Sequence, residues 1–212
     1  MDQNRKKELE AFVAGMWQQM ESSREGVEDF LPAAEAMEDR RALGRRIGRL
    51  YLAFSRVLIN RLGEEEAKKG ILEAIRDYAY YCAEARKRGG VDLPQRGIHK
   101  KSEVVEVDGQ KRLRCYGCGI AEEFAHQDEE KLGALYCYID PCSFMLTLPN
   151  IKLYHKQMEP LGADYCEFDL AIVSDEEMGT VLLEGMDYRG IDPIIKEGTE
   201  GQLLKGGKKY LA

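Results

Sequence analysis

Apolar positions in the first part of the chain recur at intervals of three and four residues, the spacing of one face of an α-helix. Leu9, Phe12, Val13, Met16 and Met20 predict a first helix over residues 4–22. Residues 26–32 break it, and Pro32 suits the first turn of a second helix. That helix extends to residue 62, and its pattern predicts burial of Leu43, Ile47, Leu50, Tyr51, Phe54, Leu58 and Ile59. Gly63 is a natural C-terminal cap. A third helix over 64–88 opens on Glu64, Glu65 and Glu66 and closes on Arg86, Lys87 and Arg88, as the helix dipole favours. Gly89 and Gly90 end it.

From residue 91 the pattern changes. Residues 92–101 form a connecting loop with Pro94 and Gly97. The segments 103–107 and 110–115, joined by Asp108-Gly109, predict a two-residue hairpin with a type I′ turn. A short helix follows over 120–132, then an apolar strand over 135–139. Asp140-Pro141 has the form of an N-cap followed by proline at the first helical position, opening a helix to residue 148. Further strands are expected over 151–158, 165–173 and 180–186, and the glycine- and lysine-rich tail from Gly198 reads as frayed. In the strand 165–172, Cys166, Phe168, Leu170 and Ile172 share the apolar face, with Tyr165, Glu167 and Asp169 opposite. No internal repeat is evident. The chain reads as α+β: a helical segment of about three helices (1–90), then an α+β domain (91–212) with a mixed, mainly antiparallel sheet and short helices. The two are expected to pack as one unit.

Composition narrows the function classes. The chain has 212 residues, 44% hydrophobic and 33% charged, enough to bury a core. Its net charge of -7 and pI near 5.2 argue against nucleic-acid binding, which needs a basic face for phosphates. Arg40, Arg41, Arg45, Arg46 and Arg49 crowd one segment, read as a solvated helix face. The start carries no signal-peptide core, and no apolar run is long enough to span a bilayer, so the expectation is a cytoplasmic protein without membrane contact. A homodimer through the N-terminal helices is a further expectation.

In a reducing compartment six cysteines are ligands, nucleophiles or core residues rather than disulfides. Cys115 and Cys118 form a C-x-x-C pair, whereas Cys137 and Cys142 are spaced differently, an imperfect match to a zinc ribbon. Zinc or an iron–sulfur cluster on Cys115, Cys118, Cys137 and Cys166 is one reading, that of a non-catalytic metal-binding or sensor protein. Asp140 is either a helix cap or a carboxylate beside Cys137. Cys142, in the first turn of that helix, is placed for a lowered thiol pKa. Of the histidines, His126 lies in a charged helical stretch, His99 in the connecting loop, and His155 on a strand near the cysteines, the candidate acid or base. Nucleotide-binding and serine-hydrolase motifs are missing from the sequence.

Three segments together resemble the L-2-amino-thiazoline-4-carboxylic acid hydrolase family: Tyr136-Cys137-Tyr138-Ile139-Asp140, Leu148-Pro149-Asn150-Ile151-Lys152-Leu153, and Leu161-Gly162-Ala163-Asp164-Tyr165-Cys166-Glu167-Phe168. An upstream cysteine, Cys115 or Cys118, also fits. The resemblance covers about residues 100–175. It implies a hydrolase of a carbon–nitrogen or carbon–sulfur bond in a cyclic amidine, adding water at C2 and opening the ring to N-carbamoyl-L-cysteine. It implies Cys137, Asp140, Asp164 and Cys166 as catalytic residues. Lys152, His155, Lys156 and Arg114 are candidates to bind the small-molecule substrate and its carboxylate.

Overall fold

In the computed structural model, residues 1–25, 34–87, 98–177 and 192–205 are described. The expected break at 26–32, the Gly89-Gly90 stop, most of the 92–101 loop and the strand over 180–186 lie outside them.

Three long helices come first: α1 (Gln3–Glu25), α2 (Ala34–Leu62) and α3 (Glu64–Lys87). Gly63, at φ +81°, turns α2 into α3, and its N–H caps α2 on the carbonyl of Ile59. The hairpin is β1 (Lys101–Val107) and β2 (Gln110–Tyr116), with Asp108 and Gly109 at φ 52° and 74°, both positive as a type I′ turn requires. The single helix expected over 120–132 is two: α4 (Gly119–His126) and α5 (Glu130–Ala134), parted where Asp128 takes φ +58°.

The run 135–139 is not a strand. Leu135–Tyr138 is a 3-10 turn that continues into α6 (Ile139–Thr147). An apolar run buried on all sides has no period to separate helix from strand, and here the helix neighbours decide it. The remaining elements are β3 (Ile151–Gln157), a 3-10 turn at Glu159–Leu161, β4 (Cys166–Ile172) and α7 (Pro193–Gly198). The stretch after Gly198 packs as far as it is described. Thr199 and Leu203 are buried, and Glu64 Oε1 accepts the Leu203 N–H at 3.1 Å.

The four strands form one antiparallel sheet in the order β1-β2-β4-β3, so the fold is α+β. Period-two alternation gives it two faces. Leu113, Cys115, Leu153, His155, Cys166 and Phe168 face the helical layer of α2, α3, α4 and α6. The other face is charged: Arg112 pairs with Asp169 at 2.7 Å, Arg114 with Glu167 at 2.7 Å, and Tyr154 donates to Asp169. Helix α1 packs against β1 and β4 and buries Leu9 and Trp17.

Burial on α2 follows expectation in part: Ile59 is buried, and Tyr51 and Leu58 pack against the core. Leu43, Ile47, Leu50 and Phe54 are exposed, while Gly44, Gly48, Leu52, Ser55 and Ile59 make the packed stripe. The small residues let α2 and α4 approach closely: a Cβ on Gly48 would stand 3.3 Å from the Ile120 carbonyl oxygen and from Glu123 Cβ. The arginines of α2 are not simply a solvated face either. Arg41 and Arg45 pair with Glu122, and Arg49 makes a two-pronged pair with the buried Glu123. Arg56 holds the buried Glu129 in the same way, pinning α2 to the turn before α5.

Candidate functional site

Between the sheet and the helices lies a cavity of about 120 Å³. That is on the order of the ~150 Å³ apolar cavity known to hold a benzene-sized ligand. Its walls are mostly apolar, with Leu113, Ile120, Phe124, Tyr136, Ile139, Leu153 and Phe168 among them. The polar groups on it are few and concentrated: Cys115, Cys118, Cys137, Cys166, Asp140, His155 and His99. An apolar cavity with a few convergent titratable groups is the usual form of a small-molecule site.

His155 lies at the centre of the polar groups. Strand parity turns it inward from β3, and a register shift between His155 and Gln157 marks a bulge beside it, a device that re-aims strand side chains. The ring is 1% exposed. Its Nδ1 stands 2.7 Å from Asp192 Oδ2, and its backbone N–H donates to the same oxygen at 3.1 Å. The other oxygen, Oδ1, accepts the Ile195 N–H at the start of α7. Asp192 is fully buried, and three N–H groups converge on it, an arrangement suited to an acceptor-only carboxylate. With Nδ1–H donated to Asp192, the neutral ring carries its lone pair on Nε2. That Nε2 is buried, has no hydrogen-bond partner, and lies 3.8 Å from Asp140 Oδ2.

Asp140 is therefore not the helix cap that Asp140-Pro141 suggests. Helix α6 begins at Ile139 as a continuation of the 3-10 turn, with no side-chain cap, and Asp140 sits inside its first turn. Continuous helix leaves no open N-terminus to cap, so the carboxylate points to the cavity instead.

All six cysteines are free, and four converge on the cavity. Burial pushes the Cys137 and Cys166 thiols well above their ordinary value and Cys118 up to about 11, with neighbouring thiols and acids adding to the effect for Cys137. These are protonated thiols at neutral pH. Cys142 is corrected outright. It does not line the cavity, and burial raises its thiol to about 12 where the dipole reading lowered it.

The C-x-x-C loop is held by a carboxylate. Glu159 accepts the Gly117 N–H at 2.6 Å and the Cys118 N–H at 2.9 Å, and its own N–H donates to Cys166 Sγ. Burial raises the Glu159 carboxyl, opposed by those two backbone donors. Among the described residues no group of three or more Cys, His, Asp or Glu side chains is placed to hold a metal ion.

Other sequence candidates fall outside the cavity. Asp164 is exposed, in the bend after Gly162, whose φ of +94° closes the 3-10 turn before β4. Lys152 and Lys156 have the opposite strand parity to His155. Lys152 pairs with Glu177 at 3.5 Å, Lys156 is exposed beside Tyr154, and Arg114 is bound to Glu167. No lysine or arginine lines the cavity among the described residues. Asp192 escaped the sequence reading, although Asp192-Pro193 carries the same cap signature that drew attention to Asp140. Comparison of the chain with protein-family models, with curated proteins and with solved structures found no match, so the chemistry is argued from this geometry.

Proposed function

We propose that the chain is a hydrolase of a small cyclic amidine, of the kind that opens a 2-amino-thiazoline-4-carboxylate, with the Asp192–His155 pair as its general base. The observation that carries this reading is the buried Nε2 of His155, without a hydrogen-bond partner, on an apolar cavity beside Asp140. A water about 2.8 Å from both Nε2 and Asp140 Oδ2 satisfies their 3.8 Å separation as one triangle.

Nε2 takes a proton from that water as its oxygen bonds to the amidine carbon, and the C=N electron pair moves onto nitrogen. Asp140 pairs with the protonated amidine, which makes the carbon more electrophilic. Collapse of the adduct passes its hydroxyl proton to Asp140 and forms a C–O double bond as the carbon–sulfur bond breaks. The imidazolium returns its proton to the departing sulfur. Substrate plus one water gives an open-chain carbamoyl thiol, with no oxidant or reductant. Asp192 orients the ring throughout and stabilises its charged form, as the carboxylate of a Ser-His-Asp triad does.

Water is favoured over a cysteine as nucleophile because burial keeps the Cys137 thiol protonated, while His155 Nε2 is left without a hydrogen-bond partner. The same apolar, acid-bearing lining favours the cationic amidine end of the substrate. His99 is the lining side chain able to meet a substrate carboxylate.

The test is direct. Purified chain is incubated with 2-amino-thiazoline-4-carboxylate, and the liberated thiol is titrated while N-carbamoylcysteine is followed by mass spectrometry. Turnover lowered by at least about 10²-fold in His155→Ala and in Asp140→Asn is expected. No turnover by the wild-type chain, or full turnover by both variants, overturns the proposal.

A further inference from the structure

Helix α2 has two stripes that ask for a partner, and among the described residues only one is covered. Gly44, Gly48, Leu52, Ser55 and Ile59 are spent on the core. Leu43, Ile47, Leu50, Phe54 and Val57 follow one another at steps of four, three, four and three residues, and are 37% to 65% exposed. That alternation is the heptad seam by which one helix packs against another. Single exposed apolar residues are ordinary on a protein surface, but a contiguous seam two heptads long marks an interface. Tyr78 and Tyr81 of α3 widen it, at 42% and 65% exposed. Ile47 and Tyr78 also line the cavity, so the seam borders the site.

Charge identifies the occupant. Beyond the seam, α2 presents Arg46, whereas α3 presents the exposed acids Glu73 and Asp77, two turns and one turn before Tyr81. A patch with one basic and one acidic edge is complementary to itself under a two-fold rotation, which brings the basic edge of each copy to the acidic edge of the other.

We propose that the Leu43–Val57 seam of α2, with Tyr78 and Tyr81 of α3, is the interface with a second copy of this chain, forming an antiparallel helical bundle that covers the border of the cavity. The inference is independent of the reaction. Its test is sedimentation equilibrium of the full chain from about 0.1 to 100 µM, a span that covers ordinary dimer affinities. A species of twice the 24.1 kDa chain mass is expected. Phe54→Asp, at an exposed position, should keep the helical circular dichroism and weaken association at least about 30-fold, the scale of one buried aromatic anchor. Arg46→Glu should weaken it about 5-fold, and Arg46→Glu with Asp77→Arg should restore it. The charge pair also covers the case in which Phe54→Asp fails to fold. A monomeric wild type, open-ended assembly, undiminished dimerisation of a folded Phe54→Asp, or no restoration by the double swap overturns it.

Discussion

The chain contains two Asp-Pro pairs before short helices, and they do opposite things. Asp192 caps α7 through Ile195 while its second oxygen holds His155, so one carboxylate serves the fold and the site together. Asp140 is not at the N-cap position, because the 3-10 turn before it runs unbroken into α6, and its carboxylate lines the cavity. The same dipeptide thus caps where a helix begins and faces the cavity where a helix is already under way. The cap signature in sequence is a statement about backbone continuity, which the dipeptide itself does not contain.

Substitutions should split the pair. Asp192→Ala is expected to give the largest effect, removing a cap and leaving buried donors without an acceptor. About 3 kcal/mol of stability should be lost in urea melts, and turnover should vanish. Asp140→Asn should leave the unfolding free energy from urea melts within about 0.5 kcal/mol of wild type. It should lower kcat/KM by about 10²- to 10⁴-fold. Equal melting losses in the two variants would erase the contrast. A third prediction concerns the thiols between these acids. Cys118 and Cys142 titrate near 11 and 12 in the folded chain, and ordinary thiols near 9 when unfolded. The unfolded chain then releases protons first, so stability is full below about pH 9 and falls as pH rises toward 12. Melting temperature followed from pH 8 to 11 should show that decline, and Cys142→Ala should make it shallower. The smallest effect is expected from Lys156→Gln, which should leave turnover within about 2-fold, since its side chain is on the other face of the sheet.

Local chemistry was readable wherever it was self-sufficient. The long helices and the Asp108-Gly109 hairpin follow from period and turn type alone, and Cys166 faces inward as alternation demands. The failures share a cause. The run 135–139 was taken as strand because uniform burial removes the period that distinguishes it from helix. On α2 the longer apolar stripe was assigned to the core, but close helix packing selected the glycine stripe instead. Lys152, His155 and Lys156 were grouped by proximity in sequence, although residues of opposite strand parity cannot share a pocket. Convergence of Cys115, Cys118, Cys137, Asp140, His155 and Cys166 on one cavity agrees with the cluster seen in sequence, whereas Asp164 sits outside it. Asp192 was missed because its second partner lies 37 residues upstream, beyond any local pattern.

That separation of 37 residues also sets a clock. A ribosome adding about 5–20 residues per second needs roughly 2–7 s to travel from His155 to Asp192. During that interval the imidazole of His155 has no carboxylate to fix its tautomer. A chain that ends before Asp192 lacks the carboxylate that orients His155. The pairing makes the orientation of that ring a property of chains synthesised past Asp192.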